Sequence, residues 1–311
     1  MTTFLVRRLI SLIFVLFSLT FVTFMVGHFA PGDPILVMMG PHRDPDTYQR
    51  LRHAYGLDKP LLVQYAAYVG GLAQGNFGLS LRYQGRAVWD LIKGGVPVSM
   101  GVGGLALIIS LLIGIPLGVV AAVKHNSAAD RTIIGLTLLL YSIPSFVLIP
   151  IAWLVVRALY DAKLPAPPIA GWGTWQNWIL PVTILAAGST GYLTRLTRST
   201  MIETLRQEYV RTARAKGLRN GMVTWKHAFR NALLPVITVV GPSVAFLITG
   251  AFVVENLLKV PGIGFLTVQA IGQRDYPVIQ GTTVLLGVAV VLMNLVTDLA
   301  YTVLDPRIRL E

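Results

Sequence analysis

The chain has 311 residues, of which 54% are hydrophobic and only 13% charged, and 26 Lys and Arg against 14 Asp and Glu give a formal net charge of +12. The charges cluster between long uncharged stretches, which excludes an ordinary soluble domain. The absence of cysteine excludes disulfides, thiolate metal sites and a cysteine nucleophile.

Stretches free of Asp, Glu, Lys and Arg run Leu9 to Ala30, Gly94 to Val123, Thr132 to Val156, Leu164 to Thr194, Asn231 to Val254 and Tyr276 to Thr297. Each can hold the roughly 20 apolar residues of a spanning helix, so the pattern predicts an all-α membrane protein with six transmembrane helices. Arg7-Arg8 precedes the first stretch as it would a signal peptide. That stretch is too long for a secretory h-region, and Gly27-His28-Phe29-Ala30-Pro31 offers no small-x-small cleavage site, so an uncleaved first span is expected.

The segment 31–97 is expected outside. Asp44 and Pro45 fit an N-cap and first helical residue with Gly56 as the stop, giving a short helix through Tyr48, Leu51 and Tyr55. A second helix is predicted from Pro60 to near Gly75, with Leu61, Leu62, Tyr65, Tyr68 and Val69 as an apolar, aromatic face. Two uses remain open for this segment, a cap packed on the spans and a platform for an external partner.

In the second span, Gly101, Gly103, Gly104, Gly114 and Gly118 mark close helix packing, most clearly through the Gly114-x-x-x-Gly118 spacing. Pro116, Pro144, Pro150, Pro181 and Pro242 each remove a backbone hydrogen bond and can kink a helix, in a gate or in a static bundle alike. Within the fourth stretch, Leu164 to Trp178 is rich in Pro, Gly and Trp and reads as an external interfacial loop, leaving a short span near Ile179 to Leu193. Asp298 falls close to the inner end of the sixth span and is expected to cap or pair with a cytoplasmic arginine.

Orientation follows from the cations. With the N-terminus inside, fifteen Lys and Arg fall on inner segments, among them Arg7, Arg8, Lys124, Arg131, Arg307 and Arg309, and four on short outer loops, Arg157, Lys163, Lys259 and Arg274. Seven more lie in 31–97, a long loop that escapes the positive-inside bias. Both termini are therefore expected in the cytoplasm. This bias and anionic headgroups account for the basic charge with no nucleic acid. The three regions are then 1–30, the N-terminus and first span; 31–97, the external segment; and 98–311, a five-span core with a cytoplasmic loop at 195–233.

That loop is the most informative part of the chain. Between Glu203 and Lys216 there is no Gly or Pro, Glu208 precedes Arg211 by three residues, and Ala213 and Ala215 favour helix. Gly217 supplies a stop, and a second helical stretch is expected to end at Pro235. Thr212, Ala213 and Ala215 make a small-residue face suited to close approach of a partner. The residues alone leave two readings open, an inserted knob and an ordinary basic juxtamembrane loop.

The stretch Tyr209-Val-Arg-Thr-Ala-Arg-Ala-Lys-Gly217, followed by Arg230-Asn-Ala-Leu-Leu-Pro235, resembles the EAA motif of ABC importer membrane subunits in the form of the oligopeptide and dipeptide branch. Ala213 and Gly217 keep the general motif's register, while Leu234-Pro235 lies five residues farther on than its usual pattern. Pro31-Gly32-Asp33-Pro34, Tyr55 to Pro60, Gln64-Tyr65, Arg195 to Ser199, Pro261 to Gly264, Arg274-Asp275-Tyr276 and Leu304 to Arg309 extend the resemblance, as an ordered set, to the B-type permease subunit of that branch.

The resemblance implies a type I ABC importer-like permease fold that translocates short peptides delivered by an external binding protein, beside a second homologous permease subunit and two ATPase subunits. Similar subunits serve nickel, glutathione and oligosaccharide systems. It also implies a bacterial or archaeal cytoplasmic (inner) membrane location. The residues coupled to the ATPase would be Glu208, Arg211, Thr212, Ala213, Arg214, Ala215, Lys216 and Gly217.

Independent physics agrees. The chain lacks a G-x-x-x-x-G-K-[ST] phosphate loop, so ATP and Mg are expected on the partners and no cofactor in this chain. The predicted spans carry no ionisable residue for ion coupling, which sets a secondary transporter or channel behind the importer. His28, His42, His53, His125 and His227 have no metal-ligand spacing, against an intramembrane enzyme.

Overall fold

A computed structural model describes the backbone of residues 2–29, 33–40, 44–83 and 85–304, and their side chains except at 2–9, 37, 242, 245–250 and 298–304. Asp298, His42, Pro242 and the tail arginines Arg307 and Arg309 therefore lie outside the described side chains. In chain order the helices are α1 (Thr2–Phe29), α2 (Pro34–Met39), α3 (Pro45–Ala54), α4 (Leu61–Ala73), α5 (Val88–Ile92), α6 (Gly95–Val123), α7 (Ala128–Ser142) and α8 (Ser145–Asp161). They continue as α9 (Ile179–Leu205), α10 (Glu208–Ala215), α11 (Asn220–Met222), α12 (Phe229–Thr238), α13 (Val240–Leu258), α14 (Ile263–Gln273) and α15 (Tyr276–Leu304). An isolated antiparallel bridge joins Leu79 to Ala87.

The chain divides into two compact units, Met1–Ser99 with Pro261–Val291, and Met100–Val260 with Leu292–Leu310. In the first, side-chain caps set the helix starts. Asp33 accepts from the Ile35 amide at 2.8 Å and from the Tyr48 hydroxyl at 2.6 Å, so one carboxylate starts α2 and holds α3. Asp44 caps α3 through the Thr47 amide at 2.9 Å, and Gly56 leaves the helix at φ +66°, as the sequence predicts. Tyr65 seats α4 on α1: it is 8% exposed, its hydroxyl is 3.1 Å from Thr20 Oγ1, and its ring meets Phe17 and Phe21 edge-on. Leu62, on the same predicted face, is exposed.

Among the described residues, Val88, Ile92, Ala270 and Val278 form a buried core cluster of this unit. Buried Asp275 accepts from the Ser80 hydroxyl and from the amides of Leu81 and Arg82, at 3.1 and 3.3 Å, and so pins the 80–83 turn.

In the second unit, α6 and α9 touch through glycine. A Cβ on Gly114 would lie 3.0 Å from the Thr190 carbonyl, and one on Gly118 2.7 Å from the Thr194 carbonyl, so the spacing serves close packing as expected. Gly101 likewise admits Trp178, but Gly103 and Gly104 face open space.

Three expectations about helix extent change. The stretch Thr132 to Val156 is two helices, α7 and α8, bent by 109°, because Pro144 has no N–H to continue α7 and Ile143 is extended, with ψ 119°. The span expected near Ile179 to Leu193 runs on as helix to Leu205, with Arg198 paired to Asp130 and Arg195 lying over the Tyr141 ring. Asn231 to Val254 divides at Val239 between α12 and α13, and Pro235 lies inside α12 instead of ending it. Among the described residues three helices are long and apolar enough to cross a membrane, or up to five when α7 with α8, and α13 with α14, each count as one.

Candidate functional site

The predicted helical loop is α10, separated from α9 by Arg206 and Gln207 alone. Its two faces differ sharply. Val210 is fully buried and Ala213 is 7% exposed, and both enter a cluster with Val119, Ala122, Met201, Val223, Ala228 and Ala232. Glu208, Arg211, Thr212, Arg214, Ala215, Lys216 and Gly217 are all exposed. Ala213 is therefore small because its own chain closes on it, whereas Thr212 and Ala215 are open to solvent.

Local chemistry holds the rest of α10. Arg211 Nη1 donates to Glu208 Oε1 at 2.9 Å, an exposed i,i+3 pair worth a few tenths of a kcal/mol. Gly217 has φ +76°, its amide donates to the Arg214 carbonyl at 2.9 Å, and a Cβ there would meet nothing within 4 Å. The glycine is thus required for the left-handed turn and not for space.

After α11 the chain makes a π-helical turn, Val223–Ala228, a local form with no sequence signature. It leaves Trp225 exposed against Phe229 at 5.0 Å between ring centroids. Tyr209 on α10 and Met222 are exposed too, and Asn231 Nδ2 donates to Tyr209 Oη at 2.8 Å, tying α12 to α10.

The sequence reading missed the group that anchors this region. Arg198 on α9 forks onto Asp130 at the start of α7, with Nε to Oδ1 at 2.6 Å and Nη2 to Oδ2 at 2.8 Å. The Asn126 amide also donates to Asp130, at 2.9 Å, and His125 Nδ1 lies 3.1 Å from Arg198 Nη2. The Asp130 side chain is only 3% exposed. Ser127-x-x-Asp130 is an N-terminal capping pattern, with Ser127 Oγ accepting from the Asp130 amide at 3.3 Å. That pattern was the available signal. Arg198 lies two turns before the end of α9 at Leu205, so the pair fixes the helix from which α10 departs.

Family and structural comparisons bear directly on this arrangement. The family described as binding-protein-dependent transport system inner membrane component matches residues 114–310, and the model of the N-terminal part of such components matches residues 1–100. The chain belongs to this family. It is 39% identical over 311 residues to the dipeptide transport system permease protein DppB of Bacillus subtilis, covering all of this chain and 99% of that protein. It is 40% identical over 310 residues to DppB of Lactococcus lactis, covering both in full, and 36% identical over 341 residues to DppB of Escherichia coli K12, covering 99% of each.

Among solved structures, a chain of the inward-facing MetNI methionine ABC transporter aligns with a TM-score of 0.59 at 18% identity, covering 69% of this chain and 96% of that one. A chain of an amino acid ABC transporter with histidines aligns at 0.52 and 14% identity, over 70% and 94%. These two likenesses establish the fold of an ABC transporter membrane chain.

Proposed function

We propose that this protein is the transmembrane subunit of an ATP-driven importer that passes short peptides, delivered by an external binding protein, across the cytoplasmic membrane. The observation that carries this reading is the end-to-end match to dipeptide permeases at 36 to 40% identity. The six spans are α1, α6, the bent pair α7 and α8, α9, the pair α12 and α13, and α15, with both termini in the cytoplasm and 31–97 outside. The peptide's passage is formed with a second homologous permease subunit. ATP and Mg belong to two ATPase subunits.

In this reading the exposed face of α10 docks on an ATPase subunit while Val210 and Ala213 anchor it to the chain. When ATP closes the ATPase pair, α10 is displaced. Its buried face and the two-residue connection to α9 pass the displacement to the spans. The Arg198–Asp130 fork makes α9 and the start of α7 move together. Coupling of this kind requires contacts that differ between two states, and the α10 surface is where those contacts are made.

Uptake into proteoliposomes carrying the four-subunit complex tests the function. Labelled dipeptide should accumulate only with ATP and loaded binding protein. Accumulation of nickel, glutathione or an oligosaccharide in place of peptide would overturn the cargo assignment while leaving the importer.

A further inference from the structure

Two arginines one turn apart on α9 are in opposite states. Arg198 has its fork filled by Asp130. Arg195 has a buried Nε with no hydrogen-bond partner and no ion pair with any described carboxylate. Its guanidinium carbon instead lies 4.2 Å from the centre of the Tyr141 ring, and Tyr141 stacks on Tyr192 at 6.2 Å and 25°. Gly191 brings this about: a Cβ there would stand 2.9 Å from Tyr141 Cβ and nearer still to the Thr137 carbonyl, so α7 and α9 meet at that glycine and Arg195 projects one turn later.

Tyr141 lies thirteen residues beyond the start of α7 at Ala128, on the order of 20 Å along the axis, so the guanidinium resting on its ring is at membrane depth in the spans proposed above. A cation there faces protein or water, not lipid. The same spot holds broken backbone. α7 stops at Ser142, Pro144 has no N–H to give, and the Val147 and Leu148 amides both turn to the Pro144 carbonyl. Among the described residues no backbone amide donates to the carbonyls of Leu140, Tyr141 and Ser142. Irregular backbone at this depth survives where it lines a water-filled cavity or is covered by protein, and broken helices of this kind carry substrate sites in transporters.

We propose that Arg195 and the α7–α8 break form a subsite of the peptide passage, in which the guanidinium takes the peptide's C-terminal carboxylate and the free carbonyls take its N–H groups. This rests on the peptide reading above. The geometry suits the chemistry: a guanidinium presents a planar fork to a carboxylate, and Tyr141 holds that fork in place from below. Every partner invoked belongs to the peptide's main chain, so the subsite accepts cargo of differing side chains.

The test compares uptake of a free-acid dipeptide with that of its C-terminal amide, in proteoliposomes of the complete complex with loaded binding protein, for the parent and for Arg195→Gln. The binding protein's own preference is common to both complexes and cancels in the parent-to-variant ratio for each peptide. The expected ratio is about tenfold or more for the acid, the size of a lost charge-assisted bond, and near unity for the amide. Arg195→Lys, which keeps the charge without the fork, should fall between parent and Gln in its preference for the acid. If Arg195→Gln assembles poorly and both rates fall, Arg195→Lys decides by the same parent-to-variant ratio: a larger loss for the acid than for the amide supports the subsite, and an equal loss or none overturns it. An equal loss for both peptides in a well-assembled variant, or no loss, also overturns the subsite and makes Arg195 a packing or headgroup contact. A parent complex that moves neither peptide defeats the cargo reading itself and the subsite with it.

Discussion

Asp130 shows what a single buried charge demands: its side chain is 3% exposed, and Arg198 bonds to both of its oxygens. Removing Arg198 leaves a nearly enclosed carboxylate alone, at a cost of about 3 kcal/mol, reduced somewhat because the Arg198 side chain is 25% exposed. Thermal unfolding in nanodiscs should show Arg198→Ala less stable than the parent, and Asp130→Asn added to it should recover part of the loss by removing the uncompensated charge. No recovery in the double variant would mean that the ion pair is not the source of the difference. Asp130 and Arg198 lie far apart in sequence, so no local pattern announces their contact, and only the Ser127-x-x-Asp130 cap was visible.

At the scale of elements, the sequence was most legible where one rule acts alone. Asp44-Pro45 and Gly56 bounded α3, Gly217 marked the turn after α10, and Gly114 and Gly118 marked a close helix approach, because caps, left-handed turns and missing Cβ atoms are local matters. It was least legible where charge and hydropathy disagree with helix continuity. Arg195 and Arg198 read as the end of a span, yet α9 passes both, and Ile143-Pro144 sits in an unbroken apolar stretch that the structure bends by 109°. The faces of α10 belong to the same class of problem. Small residues at 212, 213 and 215 look alike in sequence, but the enclosing cluster comes from α6, α9, α12 and the π turn, and it takes Ala213 alone of the three. Ala213→Trp should therefore overpack this chain's own core, at a cost of about 1 to 3 kcal/mol, and lower its unfolding temperature before any partner is added. An unchanged unfolding temperature would return Ala213 to the outer face.

For the whole molecule, the all-helical fold, the membrane class and the family were legible from composition and an ordered set of short motifs, and the comparisons over the full chain agree with them. The course of the passage was not, because a passage is built from side chains that meet only after folding and on a partner subunit. The central claim is that energy enters through the exposed face of α10. The direct measurement is ATP hydrolysis by the reconstituted four-subunit complex, with and without peptide-loaded binding protein, in the parent and in Thr212→Trp, a position open to solvent and outside the internal cluster. The account predicts that the variant chain inserts and unfolds like the parent, while stimulation by loaded binding protein falls about fivefold or more, the equivalent of a contact overpacked by 1 kcal/mol or above. Stimulation equal to the parent's, in a complex that binds its ATPase subunits normally, would contradict it.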